Sequence, residues 1–529
     1  MKTHICRFRR FLVLTAAAGW LILSLSAAAP QDTNQPRRPV LVGRDGASNG
    51  RSLAPEVQEQ IARLSSEDAL ERKRAVLALR RMGALGEPAL PALARLSQSR
   101  SPSSTSDDFD AILTARRTVV SFAKRNPDSV IALLEHEDER VRKSAMTALG
   151  ECGDARAVPA LMKCFRAYRY WGGARELEWA LVRLGKLAVR PLIGALHAPH
   201  EAVRSNAARV LGEIADPQAI KPLQDAFRAN QKWGRSTAQA ALEKFGESVV
   251  PFFIESLGSA SPVTRAGAAS ALGSIGDTRA VEPVIATLKD ENWRVSWNAA
   301  RTLGHLKNRQ AVGPLLQALE HPNVNVRSAA ASSLGSIGDV RAIEPLIDTL
   351  TDEEPMVRAD AAGALGRLGD PAAVLPLIER LDDPQLGVRS TAAGALAAIG
   401  DERALQPLIA ALKEEHPLPV DPHPSLVYPS AAARALGKFG DPRAVQPLIE
   451  ALRHPHFWVR YESARVLGTL KDMRAVEPLI DAIPSLEGSK SARGRPFSNA
   501  AVDALCRLTG ENNLGDQDKW RRWWRSQEP

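Results

Sequence analysis

Aromatic residues make up only 5% of this 529-residue chain, and cysteine occurs four times. A 44% apolar content with so few aromatics suits an Ala- and Leu-rich stack that buries surface locally, and argues against one large core. Charge is nearly balanced. The formal net charge of +9 includes Lys2, Arg7, Arg9 and Arg10 near the N-terminus, and the rest carries 65 bases against 60 acids, or +5. That counts against nucleic acid, because phosphate binding needs a predominantly basic track. No P-loop, Gly-x-Ser-x-Gly, His-Glu-x-x-His or Cys-x-x-Cys-His motif occurs, so no catalytic, cofactor or metal-ligating residue is assigned from a motif.

What the chain does have is a repeated phrase. It is clearest as Val326-Arg327-Ser328-Ala329-Ala330-Ala331-Ser332-Ser333-Leu334-Gly335-Ser336-Ile337-Gly338-Asp339, followed by Arg341-Ala342-Ile343-Glu344-Pro345-Leu346-Ile347. Its acidic or amide turn position recurs at Asp277, Asn308, Asp339, Asp370 and Asp401, each 31 residues after the last. A fixed period of this length with helical patterning inside it signals units that bury their apolar faces only against neighbours.

Within a unit, Val326, Ala330, Leu334 and Ile337 fall on one stripe of a first helix. The small Ala residues and Gly335 permit close helix approach. Gly338 suits a left-handed helix end, and Asp339 can cap a second helix that turns Ile343, Leu346, Ile347 and Leu350 inward. A proline recurs six residues beyond the cap, as at Pro283, Pro314, Pro345, Pro376, Pro407, Pro447 and Pro478, and is expected to kink the second helix near its start.

The phrase Val-Arg-x-x-Ala-Ala-x-x-Leu-Gly-x-Ile-Gly-Asp-x-Arg-Ala-Val-x-Pro-Leu-Ile resembles HEAT repeats, particularly the short HEAT-like units of phycobilisome lyases. The resemblance implies an all-α fold, an α-α superhelix of about 13 or 14 helix pairs. Residues 139–486 read as regular repeats, 53–138 as divergent ones, and 487–529 as a degenerate repeat with a Trp-rich cap. The fold serves many unrelated roles, so function must come from sites.

Residues 1–29 differ in kind. Basic residues precede an apolar run from Phe11 to Leu25, short for a membrane span, and Ser26-Ala27-Ala28-Ala29 supplies small residues, the pattern of a secretory signal peptide. Export to a bacterial periplasm or cell envelope is the expectation, with an uncleaved leader acting as an anchor as the alternative. The Pro-, Gly- and Arg-rich residues 30–52 read as a flexible linker. Cys152, Cys164 and Cys506 occupy core-type positions; a Cys152–Cys164 disulfide competes with buried free thiols.

On the second helices, the positions four and one before the proline and three after it share one outward face. They read Arg341, Glu344, Asp348; Arg474, Glu477, Asp481; Arg443, Gln446, Glu450; and Arg279, Glu282, Ala286. If these helices line the concave side, as the resemblance implies, the row is either solvated intra-helix ion pairs or a polar groove for a protein segment. The Arg of each Val-Arg pair (Arg142, Arg204, Arg327, Arg358, Arg389, Arg460) resembles the family's stacking ladder, paired with acids of the preceding loop. Trp171, Trp233, Trp293 and Trp458 sit near the starts of first helices, as packing plugs or partner anchors.

Two insertions break the period, a Pro-rich one from His416 to Pro424 and a basic one from Gly488 to Arg495. They are candidates for specificity, with His423 within the first and Tyr428 just beyond it. His416, His423, His454 and His456 match no metal motif, so none is assigned a metal. The C-terminal Trp520, Trp523 and Trp524 read as a cap or an interfacial membrane contact.

Deoxyhypusine hydroxylases share the architecture but need repeated His-Glu pairs on facing helices. Here the only such pairs, His136-Glu137 and His200-Glu201, fall between units. The sequence therefore reads as a monomeric protein-interaction scaffold without a cofactor, its protein partner unidentified. The alternative is an accessory or catalytic lyase-like subunit handling a small ligand.

Overall fold

The computed structural model describes residues 53–99, 106–167, 174–229, 234–413, 428–486, 499–512 and 514–527. From Pro55 onward these form one compact unit of consecutive helices, with no strand among the described residues. The leader, the linker and both insertions lie outside the described residues.

The repeat unit follows from its residues. First helices run Pro262–Ile275, Trp293–Leu306, Val324–Ile337, Pro355–Leu368 and Leu386–Ile399, each 14 residues long. In the third, Val326, Ala330 and Leu334 are wholly buried, while Ile337 is half-buried at the end of the stripe. A Cβ added to Gly335 would lie 2.6 Å from the Ala364 Cα of the next first helix, so a larger residue would force the two backbones apart. Gly338 then closes the helix in the left-handed region at φ 76°, which costs glycine little.

Asp339 accepts from the Arg341 backbone N–H at 3.0 Å, and the chain turns into a 3-10 segment, Val340–Ala342, before the α-helix Ile343–Thr349. Pro345 is the third residue of the α-helical segment, where no intrahelical N–H bond is available to lose, so the expected loss of a backbone bond does not occur. Pro191 is different, lying well inside Lys186–Ala195. Ile343, Leu346 and Leu350 are buried as the apolar spacing requires, and Ile347 is half-buried.

First helices of successive repeats pack directly on one another. Buried hydroxyls reinforce the stack: Thr302 Oγ1 donates to the Ala269 carbonyl at 2.7 Å and Ser333 Oγ to Ala300 at 2.8 Å. At the C-terminal end, helix Gln517–Arg525 lies on the second helix Val476–Ala482. Trp520 is fully buried there, Gln517 donates to the Ile480 carbonyl at 3.0 Å, and Arg521 meets Asp481 at 2.7 Å. No described helix is long and apolar enough to cross a membrane. Cys152, Cys164 and Cys506 are free thiols, half-buried, with burial pushing each pKa up, so the disulfide alternative is not formed.

Candidate functional site

Two sets of arginines recur, and the structure gives them different partners. The first set lies on the outward face of the second helices. Arg279, Arg341, Arg403, Arg443 and Arg474 each fold back onto the capping aspartate two residues earlier, at 2.5, 2.9, 2.8, 2.8 and 2.6 Å. Arg341 also reaches the Arg309 carbonyl of the preceding repeat at 3.3 Å, and Arg403 that of Pro371 at 3.0 Å. The arginine row is thus tied to the caps, not to the acids beside it, which corrects the intra-helix pairing expected from spacing. The Arg341 guanidinium and backbone N–H hold the Asp339 carboxyl down at about 2, and Arg403 does the same for Asp401, also about 2.

With those arginines neutralised locally, the face shows its acids. Glu282, Glu344, Asp348 and Glu477 are exposed and make no ion pair among the described residues. Glu450 pairs with Lys413 at 3.2 Å and Asp481 with Arg521 of the C-terminal helix.

The second set is the ladder. Arg265, Arg327 and Arg358 each send Nη1 back to carbonyls of the preceding loop, as Arg358 does to Asp352 at 2.8 Å. Their Nε and Nη2 grip an aspartate 25 residues further on, in the following loop: Asp290, Asp352 and Asp383. The acids therefore follow the arginine and do not precede it, because each side chain bridges its own loop to the next. The pairs are buried, with side-chain exposures of 10% for Arg358 and 1% for Asp383. Burial pushes the Asp383 carboxyl up, but the Arg358 contacts and the Gln385 N–H outweigh it and leave the pKa lowered. Sequence spacing could have revealed these partners, since Asp290, Asp352 and Asp383 share one register with the arginines.

Three of the second-helix acids, Glu450, Glu477 and Asp481, line a groove of about 650 Å³ between Val445–Ala451 and Val476–Ala482. Gln446 and Glu450 of the former helix and Glu477 and Asp481 of the latter line it, together with Arg453, His454, Arg460 and Ser485. Of the expected site residues, this groove unites Glu450, Glu477 and Asp481. Arg279, Glu282, Arg341, Glu344 and Asp348 lie on earlier repeats, and Arg443 and Arg474 stand at the caps of the groove's two helices. Trp458 is absent from the lining and packs against Phe457 and Tyr461, with ring centroids 5.1 and 5.6 Å away. His423 and the Tyr428 side chain, like Trp171, Trp233 and His416, lie outside the described residues. Trp293 and Trp297 are half-buried and line a separate groove of about 300 Å³ on the first-helix side, which the sequence reading did not single out. His136 and Glu137 give backbone carbonyls to Arg142, a structural use of that His-Glu pair.

Comparison with known proteins agrees with this architecture. Residues 174–243, 250–316, 281–362, 343–421 and 420–487 match the profile of HEAT repeats, and 141–166 that of the PBS lyase HEAT-like repeat. The uncharacterized phycocyanin operon protein Z of Pseudanabaena tenuis (strain PCC 7409) is 34% identical over 172 residues, covering 30% of this chain and 83% of that protein. Yeast importin-beta (Kap95p) superposes with a TM-score of 0.54 at 14% identity, covering 90% of this chain and 74% of the other, a likeness of fold alone. The complex of CpcE and CpcF of phycocyanin lyase from Nostoc sp. PCC7120 aligns at 24% identity over 49% of this chain and 94% of that chain, with a TM-score of 0.30.

Proposed function

The chain belongs to the HEAT-repeat family, and on that premise we propose that it is an exported protein-interaction scaffold whose second-helix face receives a basic segment of a protein partner. One observation carries the reading. The arginines of that face are consumed by their own caps, which leaves Glu282, Glu344, Asp348 and Glu477 exposed and unpaired among the described residues. An acidic row on a rigid stack attracts basic residues through many weak contacts and repels phosphate. The leader pattern of residues 1–29 supports export to the cell envelope, and the Pro-rich and basic insertions are proposed to add specificity.

Affinity capture from native envelope extract, with nuclease present, tests the reading. The mature chain should retain a protein that the quadruple variant E282K/E344K/D348K/E477K loses. Retention by both would sink the acidic-face reading. A second reading, an accessory or catalytic subunit handling a small ligand, draws on the match of residues 141–166 to the PBS lyase HEAT-like repeat. A chromophore co-purifying in place of a protein would support it.

A further inference from the structure

We infer that Arg460 is a carboxylate receptor in the lining of the groove, taking an acidic group of the partner segment where other repeats use their own aspartate. Arg265, Arg327 and Arg358 find Asp290, Asp352 and Asp383 at a constant 25 residues, and Glu414 stands at that register for Arg389. Where the arginine is replaced, so is the acid: Ser296 is matched by His321, and Pro429 by His454. Arg460 keeps the arginine but finds Ser485.

Its geometry shows the consequence. Nη1 donates to the His454 and Pro455 carbonyls at 2.8 Å each, as in the other repeats. Among the described residues Nη2 has only the Ser485 backbone carbonyl, at 3.2 Å, and the buried Nε has no acceptor. A guanidinium fork that elsewhere closes on a carboxylate here borders a groove of about 650 Å³, and a bidentate carboxylate is the group it is shaped to accept. Burial pushes the Arg460 pKa down, whereas carboxylates raise those of Arg265, Arg327 and Arg358. Arg142 and Arg204 also lack an acid at this register, having Ala167 and Ala229, but neither lines the groove.

Exposed Arg453 and Glu477 also line the groove, both without an ion pair among the described residues. The complementary occupant is a peptide stretch with one carboxylate flanked by basic side chains. That occupant's being a protein segment rests on the scaffold reading above, whereas the open guanidinium of Arg460 follows from its own contacts.

The test uses the full mature chain and two labelled pentapeptides, Ac-Lys-Ala-Asp-Ala-Lys-amide and its Asn analogue, followed by fluorescence anisotropy. The Asp peptide should bind about tenfold tighter or more, the discrimination that a charge-assisted bidentate contact supplies. R460Q should abolish the difference. S485D, which installs the ladder acid, should also abolish it while raising the melting temperature, a result that loss of folding cannot imitate. Equal binding of the two peptides by the wild type, or discrimination that survives S485D, would overturn the proposal. So would discrimination that appears only in E487Q, since Glu487 would then already fill the fork. Free acetate competing as well as the Asp peptide would overturn the partner assignment and leave a site for small carboxylates. Loss of capture in the acidic-face variant with peptide discrimination intact would separate this site from the broader reading.

Discussion

Arg358 and Arg279 each pair with an aspartate, yet they should differ in what their removal does. Arg358 and Asp383 are buried and joined by two bonds of 2.7 and 2.8 Å, so R358A strands a buried carboxylate. A loss of about 3–5 kcal/mol is expected from urea unfolding of the repeat that contains it. Arg279 is more than half exposed, and R279A should leave the urea midpoint within error. Asp360 presents the opposite case. Burial raises its pKa, only partly offset by the Ser328 hydroxyl, so the folded protein disfavours its charged form. D360A, which restores the residue type of Ala329 one period earlier, should raise the midpoint at pH 7; a lower midpoint would show that the Ser328 contact outweighs burial.

At the scale of the element, the turn between helices should dominate. G335A would press a Cβ to 2.6 Å from the Ala364 backbone and should cost about 1–3 kcal/mol, read as a lowered melting temperature. The caps set the acid limit. Asp339 and Asp401 have folded pKa values of about 2 against an ordinary 3.8, so their contribution is complete above about pH 4 and is lost as pH falls towards 2. Circular dichroism against pH should show the transition in that window, with D339N/D401N shallower because Asn keeps the cap but does not titrate. These caps, Gly335 and Gly338 were legible in the sequence, because each is fixed within one helix or turn. The 3-10 turn at Val340–Ala342 was not, since helical spacing fits it as well as an α-helix. The ladder acids were misplaced because the family resemblance put them in the preceding loop, whereas Arg327 and Asp352 meet through the stacking offset between repeats.

At the scale of the whole molecule, a stack of nearest-neighbour interfaces couples distant repeats weakly, so destabilised repeats should open locally. The C-terminal helix covers Val476–Ala482 and ties Asp481 to Arg521. Deleting residues 511–529 should therefore speed amide exchange in the last repeats and leave Val324–Ile337 unchanged. Of the candidate site, the sequence made the acids legible but not their freedom. Only the folded caps show that Arg341 and Arg474 belong to Asp339 and Asp472 and that Glu344 and Glu477 are left facing outward. The most direct measurement is hydrogen exchange on the captured partner complex. Protection is expected on the second helices Val445–Ala451 and Val476–Ala482, with the first-helix face around Trp293 unaltered. Protection confined to the first helices, or none on the second, would contradict that placement of the partner.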